Sequence, residues 1–177
     1  MPKRSAGLLL FRRHDAAPGS AQDLGLEVFL VHPGGPFWAK KDLGAWSIPK
    51  GEYGDGEEPL AAALREFEEE TGFGEIVSLP VERFLPLGSV RQNGGKVVTA
   101  WAVEFDLDPS GISSNFTEIE WPPRSGRRIR IPEVDRAAWF PLPEARARIL
   151  GAQQPFLDRL LETLAGDAAD TASANRW

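Results

Sequence analysis

The segment GEYGDGEEPLAAALREFEEETGF, residues 51–73, holds most of the charge imbalance of this 177-residue chain. Between Glu52 and Glu75 there are nine acidic side chains and one basic residue, Arg65, so this stretch carries a net charge of −8. The whole chain carries −6, so the remainder is mildly basic at +2. Such a concentration of carboxylates indicates a local cation site rather than a uniformly solvated acidic surface.

The residue pattern of this segment predicts a glycine-rich loop followed by a helix over residues 58–71. Pro59 suits the first helical turn, because its missing N–H needs no partner there. Gly72 suits the left-handed position that commonly ends a helix.

Three carboxylates of the predicted helix, those of Glu66, Glu69 and Glu70, fall within an arc of about 100° on one face. Leu60, Leu64 and Phe67 form an apolar stripe on another face, and Glu68 points away from both. Neighbouring carboxylates repel each other in a bare helix, whereas a hard cation such as Mg²⁺ takes oxygen ligands and reverses that repulsion. A solvated acidic helix face is the alternative interpretation of these acids taken alone.

The spacing of the surrounding residues favours the metal site. Gly51 is followed after five residues by Glu57, and after seven more by REFEEETGF, residues 65–73. This pattern resembles the Nudix box, the signature of the Nudix (MutT-like) hydrolase family, with every specified position filled. The resemblance implies an α/β fold, an α/β/α sandwich with a mixed central sheet. We expect a single domain over residues 1–166 and a disordered tail over 167–177.

The resemblance also implies the roles of individual residues. Glu69 and Glu70 match the principal metal-binding pair, and Glu66 matches a further ligand or a base. Glu57 matches a glutamate close to the metal, and Arg65 an arginine that orients the carboxylates. The implied cofactor is Mg²⁺ or Mn²⁺. The implied reaction is hydrolysis of a nucleoside diphosphate linked to another moiety, and we hypothesise in-line attack of water on phosphorus without a covalent intermediate.

The residues before the box bear on the substrate. Trp46-Ser47-Ile48-Pro49-Lys50-Gly51 is similar to the W-x-x-P-K-G of dinucleoside polyphosphate hydrolases. Lys50 would then bind a phosphate oxygen as a point charge. A surface lysine without a role is the alternative.

A second basic feature lies in residues 108–132, which show no clear periodicity and are predicted to form a long loop. Its four arginines are Arg124, Arg127, Arg128 and Arg130. They could clamp the distal phosphates of a long polyphosphate through bidentate hydrogen bonds. Alternatively they are solvated or pair with the nearby acids Glu118, Glu120 and Glu133. One of these three acids could instead supply the catalytic base, and Glu120 is the one singled out.

Loop aromatics are candidates for stacking on a nucleobase. Phe37, Trp38 and Trp121 fall in predicted loops, so Trp38 and Trp121 join the predicted substrate-binding residues. Trp46, Trp101 and Trp139 fall in predicted strands and are assigned to the core.

The rest of the chain predicts strands over residues 5–12, 26–31 and 136–140, a hairpin around Asn93-Gly94-Gly95, and helices over 142–150 and 155–164. There is no cysteine, which excludes disulfides and thiol catalysis. No apolar run approaches the ~18 residues of a membrane span. We therefore expect a cytoplasmic protein that binds neither membranes nor nucleic acids, while its oligomeric state stays open.

Three hypotheses about function remain. The first is a metal-dependent hydrolase of dinucleoside polyphosphates, with a nucleotide polyphosphate as its binding partner. The second is an enzyme acting on nucleoside triphosphates of the oxidised dGTP type, on nucleotide sugars or on diphosphoinositol phosphates. The third is a nucleotide-binding sensor without turnover, which the complete set of box glutamates disfavours.

Overall fold

The computed structural model describes residues 1–14 and 25–174, so most of the polar stretch 14–25 lies outside the described residues. The strands are β1 (Arg4–Arg13), β2 (Leu26–Pro33), β3 (Lys50–Glu52), β4 (Leu85–Arg91), β5 (Val97–Glu104), β6 (Phe116–Glu120), β7 (Arg128–Pro132) and β8 (Val134–Pro141). The helices are α1 (Pro59–Thr71), α2 (Leu142–Arg148) and α3 (Gln154–Ala174). Across the described residues, no helix is long and apolar enough to cross a membrane.

The central sheet has the order β4-β5-β1-β2-β8. Strand β1 runs parallel to β5, while the other neighbours in the sheet pair antiparallel, so the sheet is mixed as predicted. One edge of β1 is shared by two partners. Its residues 11–13 pair with β2 and its residues 5–7 pair with β3. The start of the box is thereby fixed in the sheet.

Alternating side chains of β1 enter two separate apolar clusters, one on each face of the sheet. Leu8 and Leu10 pack in the cluster that includes α1, and Leu9 and Phe11 pack in the cluster that includes α3. Because successive strand residues point to opposite faces, an almost continuously apolar strand is buried on both sides. The predicted α/β/α sandwich is confirmed.

Helix α1 begins at Pro59 and ends at Thr71. The next residue, Gly72, has a left-handed φ of 81°, and its N–H donates to the Glu68 carbonyl at 2.7 Å. Phe67 is fully buried, as the apolar stripe predicts. Leu60 and Leu64 are only partly buried, whereas the alanines at 62 and 63 are completely covered. The small alanines are therefore the part of the helix most completely covered by the sheet-side cluster, together with Phe67.

The predicted loop over residues 108–132 is wrong in part, because it contains the hairpin of β6 and β7. The register places Ile119 opposite Ile129, with Glu118 opposite Arg130 and Glu120 opposite Arg128. Apolar and charged residues therefore alternate along both strands. The alternation is short, and its isoleucines are only partly buried, so it gives a weak strand signal in the sequence.

Helix α3 is longer than predicted, since it continues past residue 164 to Ala174. Residues 167–174, expected to be a disordered tail, are helical, and residues 175–177 lie outside the described residues. The sequence here is rich in alanine, the best helix former. The single-domain boundary at residue 166 stays a prediction.

Candidate active site

Helix α1 presents its carboxylate face to β3, the short strand that contains the first residues of the box. Glu66 and Glu70 are each only 7% exposed, while the Glu69 side chain is 43% exposed. The Lys50 N–H donates to Glu70 Oε2 at 3.0 Å, which holds this carboxylate against the start of β3. Glu68 is exposed, as the helical wheel predicts.

Gly51 is required by the close approach of α1 to β3. A Cβ atom at this position would lie 1.9 Å from both Cδ and Oε2 of Glu66. Only glycine leaves room for the carboxylate. The glycine that opens the box therefore makes the space in which Glu66 is buried.

Arg65 binds three of the box carboxylates. Its Nε and Nη2 donate to the two oxygens of Glu57 at 2.8 and 3.1 Å. Its Nη1 donates to Glu66 at 2.6 Å and to Glu69 at 3.2 Å. Hydrogen bonding to Glu57 is the largest of the effects that raise the pKa of Arg65, and it lowers the pKa of Glu57 in return. The guanidinium thus contacts all three carboxylates, and its role in orienting them for catalysis stays a prediction.

Burial dominates the protonation of the inner carboxylates. It raises the pKa of Glu70 to about 8, against the lowering effect of the Lys50 charge and backbone amide. Burial also raises the pKa of Glu66, although Arg65 acts in the opposite direction. Strongly perturbed acids of this kind are typical of functional sites.

Lys50 is the cation of the inner site. Burial lowers the pKa of its ammonium, and the nearby Glu70 carboxylate offsets part of that effect. Lys50 is partly buried, so its charge is less screened by water than that of a fully exposed lysine. Phosphate binding by Lys50 stays a prediction.

The donor set fits a hard divalent cation, because it consists of carboxylate oxygens. Among residues 1–14 and 25–174, no three acidic or histidine side chains already converge on one metal position. The carboxylates are instead turned toward Arg65 and the Lys50 amide. Glu57 has both oxygens engaged by Arg65, so its predicted metal role would require it to leave that contact.

From the sequence, Glu120 is singled out as the candidate base, and Glu133 is one of two further acids near the arginines that could take that role. Glu133 lies between β7 and β8, and its charge acts on Lys50, Glu66 and Glu70. Its backbone is held on both sides, because the Gly34 N–H donates to its carbonyl at 3.1 Å and its own N–H donates to Asn115 O at 3.0 Å. The available signal was an acid directly between two strands, but that signal needs the β6–β7 hairpin to be recognised first.

The hairpin arginines differ in their contacts. Arg128 forms an ion pair with Glu118 at 3.1 Å, and Arg130 lies over the Phe116 ring at 4.4 Å. Within the described chain, no ion pair involves the other two arginines of the cluster, Arg124 and Arg127. Phosphate binding by these four residues stays a prediction. The alternative, pairing with a nearby acid, is seen at Arg128, which contacts Glu118.

Glu120, the candidate loop base, accepts a hydrogen bond from the Gly126 N–H at 2.7 Å. Its carboxylate therefore closes the turn at the hairpin tip. Glu133 is the acid of this region whose charge acts on Lys50 and the buried glutamates.

The predicted stacking residues lie in two different places. Trp38 is partly buried against the α3-side cluster and stands edge-on to Phe37, which is 54% exposed. The Lys41 ammonium lies 3.4 Å from the Phe37 ring centroid. Trp121 is partly buried at the hairpin tip, where its backbone N–H donates to the Arg127 carbonyl. Base stacking by either tryptophan stays a prediction.

Sequence comparison gives a family match and curated relatives. The NUDIX domain family matches residues 1–160. An RNA pyrophosphohydrolase of Rhizobium meliloti (strain 1021) is 32% identical over 128 residues, 66% of this chain and 68% of that protein. A bis(5'-nucleosyl)-tetraphosphatase [asymmetrical] of Rattus norvegicus is 33% identical over 105 residues, 59% of this chain and 66% of that protein.

Solved structures share the fold at low sequence identity. A C. elegans Ap4A hydrolase in a binary complex superimposes with a TM-score of 0.59 at 21% identity, covering 93% of this chain and 98% of its own. The NUDIX domain of Shewanella oneidensis NrtR complexed with ADP ribose gives 0.58 at 19% identity, with 93% and 89% covered. With the family match over 160 residues and every position of the box filled, the chain belongs to the Nudix family and is a Nudix hydrolase.

Proposed function

We propose that this enzyme hydrolyses a phosphoanhydride bond of a nucleoside diphosphate linked to another moiety, and that its substrate is a dinucleoside polyphosphate. The observation that carries the proposal is the burial of Glu66 and Glu70 against Lys50. A lysine beside two buried carboxyl groups suits an anionic substrate that brings a cation with it. The relative named bis(5'-nucleosyl)-tetraphosphatase supports this substrate class.

We propose Glu66, Glu69 and Glu70 as the ligands of Mg²⁺ or Mn²⁺. When bound, such a cation neutralises phosphate charge and polarises the phosphoryl oxygen. Arg65 keeps the carboxylates on one side of the helix through its hydrogen bonds to Glu66 and Glu69. Glu57, which the resemblance places near the metal, acts through Arg65 in this proposal.

Four further residues have roles in the proposed reaction. Glu133 takes the proton of the attacking water, because its charge already acts on the groups that would surround the substrate. Lys50 binds a phosphate oxygen and stabilises the negative charge that develops on it. At the tip of the β6–β7 hairpin, Arg124 and Arg127 are available to bind the distal phosphates of the substrate.

An assay with Mg²⁺ that separates and quantifies the two phosphorylated products of each substrate tests this assignment. The panel is diadenosine tetraphosphate, oxidised dGTP, a nucleotide sugar and ADP-ribose, and we expect the highest kcat/KM on the tetraphosphate. Glu70→Gln should remove turnover, while Glu68→Gln, an exposed acid of the same helix, serves as the matched control. A protein that binds these nucleotides yet hydrolyses none with Mg²⁺ or Mn²⁺ would support the sensor hypothesis instead.

The bond that breaks can be followed with ¹⁸O-labelled water in a single turnover. In-line attack by water puts the label in one product phosphate. Label that becomes attached to the protein would contradict the absence of a covalent intermediate.

A second candidate substrate is RNA with a 5'-terminal polyphosphate. The relative named RNA pyrophosphohydrolase favours it, and the basic hairpin tip offers Arg124 and Arg127 to an extended anionic chain. A triphosphorylated oligonucleotide belongs in the same panel. A kcat/KM on this oligonucleotide above that on diadenosine tetraphosphate would replace the first proposal with the second.

A further inference from the structure

The strand next to the candidate site carries a buried histidine that the proposed reaction does not use. His32, near the end of β2, is fully buried. Its ring stands edge-on to Trp46, in the cluster on the α3 side of the sheet. It therefore lies on the face opposite to α1 and cannot contact the carboxylate face of that helix.

Both ring nitrogens of His32 have hydrogen-bond partners. Nδ1 lies 2.8 Å from Asp135 Oδ1, and Nε2 lies 2.6 Å from the Lys41 carbonyl oxygen. A carbonyl accepts only, and an ionised carboxylate accepts only, so both contacts form together when both nitrogens carry a proton. The ring thus joins the loop after β2 to the beginning of β8.

The charged groups around this ring are engaged with other partners. The Lys41 ammonium lies over Phe37, and the Arg136 guanidinium lies over Trp46 at 5.3 Å. Asp42 accepts from the Trp46 indole N–H at 2.7 Å. His32 is consequently the close partner of Asp135, whose contact with Arg136 is longer, at 3.9 Å.

The two contacts lie at the backbone irregularity that contains Asp135, and Glu133 comes just before this irregularity in the chain. The register between β2 and β8 shifts between His32 and Pro33, so the regular ladder is interrupted there. A bulge of this kind re-aims side chains near active sites. Asp135 follows Glu133 by two residues, and Gly34, which donates to the Glu133 carbonyl, follows His32 by two.

We propose that His32 is a positioning residue for hydrolysis, which holds Glu133 in place through its hydrogen bonds to Asp135 and to the Lys41 carbonyl. The inference rests on the proposed function, because Glu133 is there the proton acceptor. The His32 ring lies on the face of the sheet opposite to α1, and it acts on Glu133 through the backbone between Glu133 and Asp135. It touches no substrate.

Two amide variants separate the two contacts. The amide nitrogen of asparagine can reach Asp135 from the position of Nδ1, whereas that of glutamine can reach the Lys41 carbonyl from the position of Nε2. We expect His32→Gln to lower kcat by about tenfold with KM unchanged, since small misplacements of a reacting group have effects of this size or larger. His32→Asn keeps the Asp135 contact and should retain most of kcat.

A double-mutant cycle with Glu133→Gln tests the route of the effect. If His32 acts through Glu133, His32→Gln lowers kcat no further in a protein that already carries Glu133→Gln. Additive losses, or Glu133→Gln with wild-type kcat, overturn the inference. Failure of the proposed function is distinct, because the wild-type protein would then hydrolyse no nucleotide of the panel.

A readout besides activity is hydrogen exchange at the Glu133 and Gly34 amides. We expect His32→Gln to accelerate exchange at both positions relative to His32→Asn. Equal exchange in the two variants would contradict the positioning role. If His32→Gln does not fold, Asp135→Ala replaces it in the double-mutant cycle. This variant removes the same hydrogen bond, at a side chain that is 28% exposed.

Discussion

Replacing Glu70 with glutamine should stabilise the metal-free protein while it abolishes hydrolysis. Burial raises the pKa of this carboxyl from 4.5 to about 8. The native state therefore holds its proton more tightly than the unfolded chain, so wild-type stability falls as pH rises between these two values. Glutamine keeps an oxygen that can accept from the Lys50 N–H and never ionises.

The size of the effect follows from the two pKa values. At pH 6 the native carboxyl is neutral. Ionisation of the unfolded state then lowers the free energy of unfolding of the wild type by about 2 kcal/mol between pH 6 and pH 8. This corresponds to about 4–8 °C in Tm for a protein of this length. The stability advantage of Glu70→Gln over the wild type should therefore grow by these amounts between pH 6 and pH 8.

Thermal or urea unfolding in EDTA measures this difference, with Glu68→Gln as the control for loss of one exposed charge. Added Mg²⁺ should then raise the Tm of the wild type, because a ligand that binds only the native state stabilises it. It should not raise that of Glu70→Gln. A difference that stays flat from pH 6 to pH 8 would refute the burial argument, and Mg²⁺ stabilisation of the variant would refute the ligand assignment.

Four further predictions concern the surrounding residues. Gly51→Ala should reduce kcat by about 100-fold or more, because the new Cβ displaces the Glu66 carboxylate. Steady-state kinetics measures this effect, and an unchanged kcat would contradict the packing argument. Lys50→Met should raise KM for polyphosphates, which substrate titration checks. Arg124→Ala with Arg127→Ala should raise KM for diadenosine tetraphosphate more than for ADP-ribose, whereas Arg128→Ala, already paired with Glu118, should have little effect. EDTA should stop hydrolysis, and Mg²⁺ or Mn²⁺ should restore it.

The carboxylate face of α1 could be predicted from the sequence, because helix periodicity alone sorts its residues. Phe67 is buried and Glu68 is exposed, as the wheel requires. The burial of Glu66 and Glu70 could not be predicted in this way. It depends on β3 lying against α1, which is a contact between separate elements.

Glu133 shows the opposite case. Nothing local distinguishes it from Glu118 or Glu120, which are also acids in the same polar segment. Its place is decided by the β6–β7 pairing and by the irregular register between β2 and β8. The same holds for His32, whose two partners are 9 and 103 residues away along the chain.

The sequence by itself determined the family, the carboxylate face of α1 and the layered fold, because box spacing, helix periodicity and the continuously apolar β1 are local properties. The tertiary structure decided which carboxylates are desolvated, that Lys50 joins them, and which acid of the polar segment reaches them. Burial and charge interaction depend on distances between elements that lie far apart in the chain. Such distances exist only after the sheet has formed.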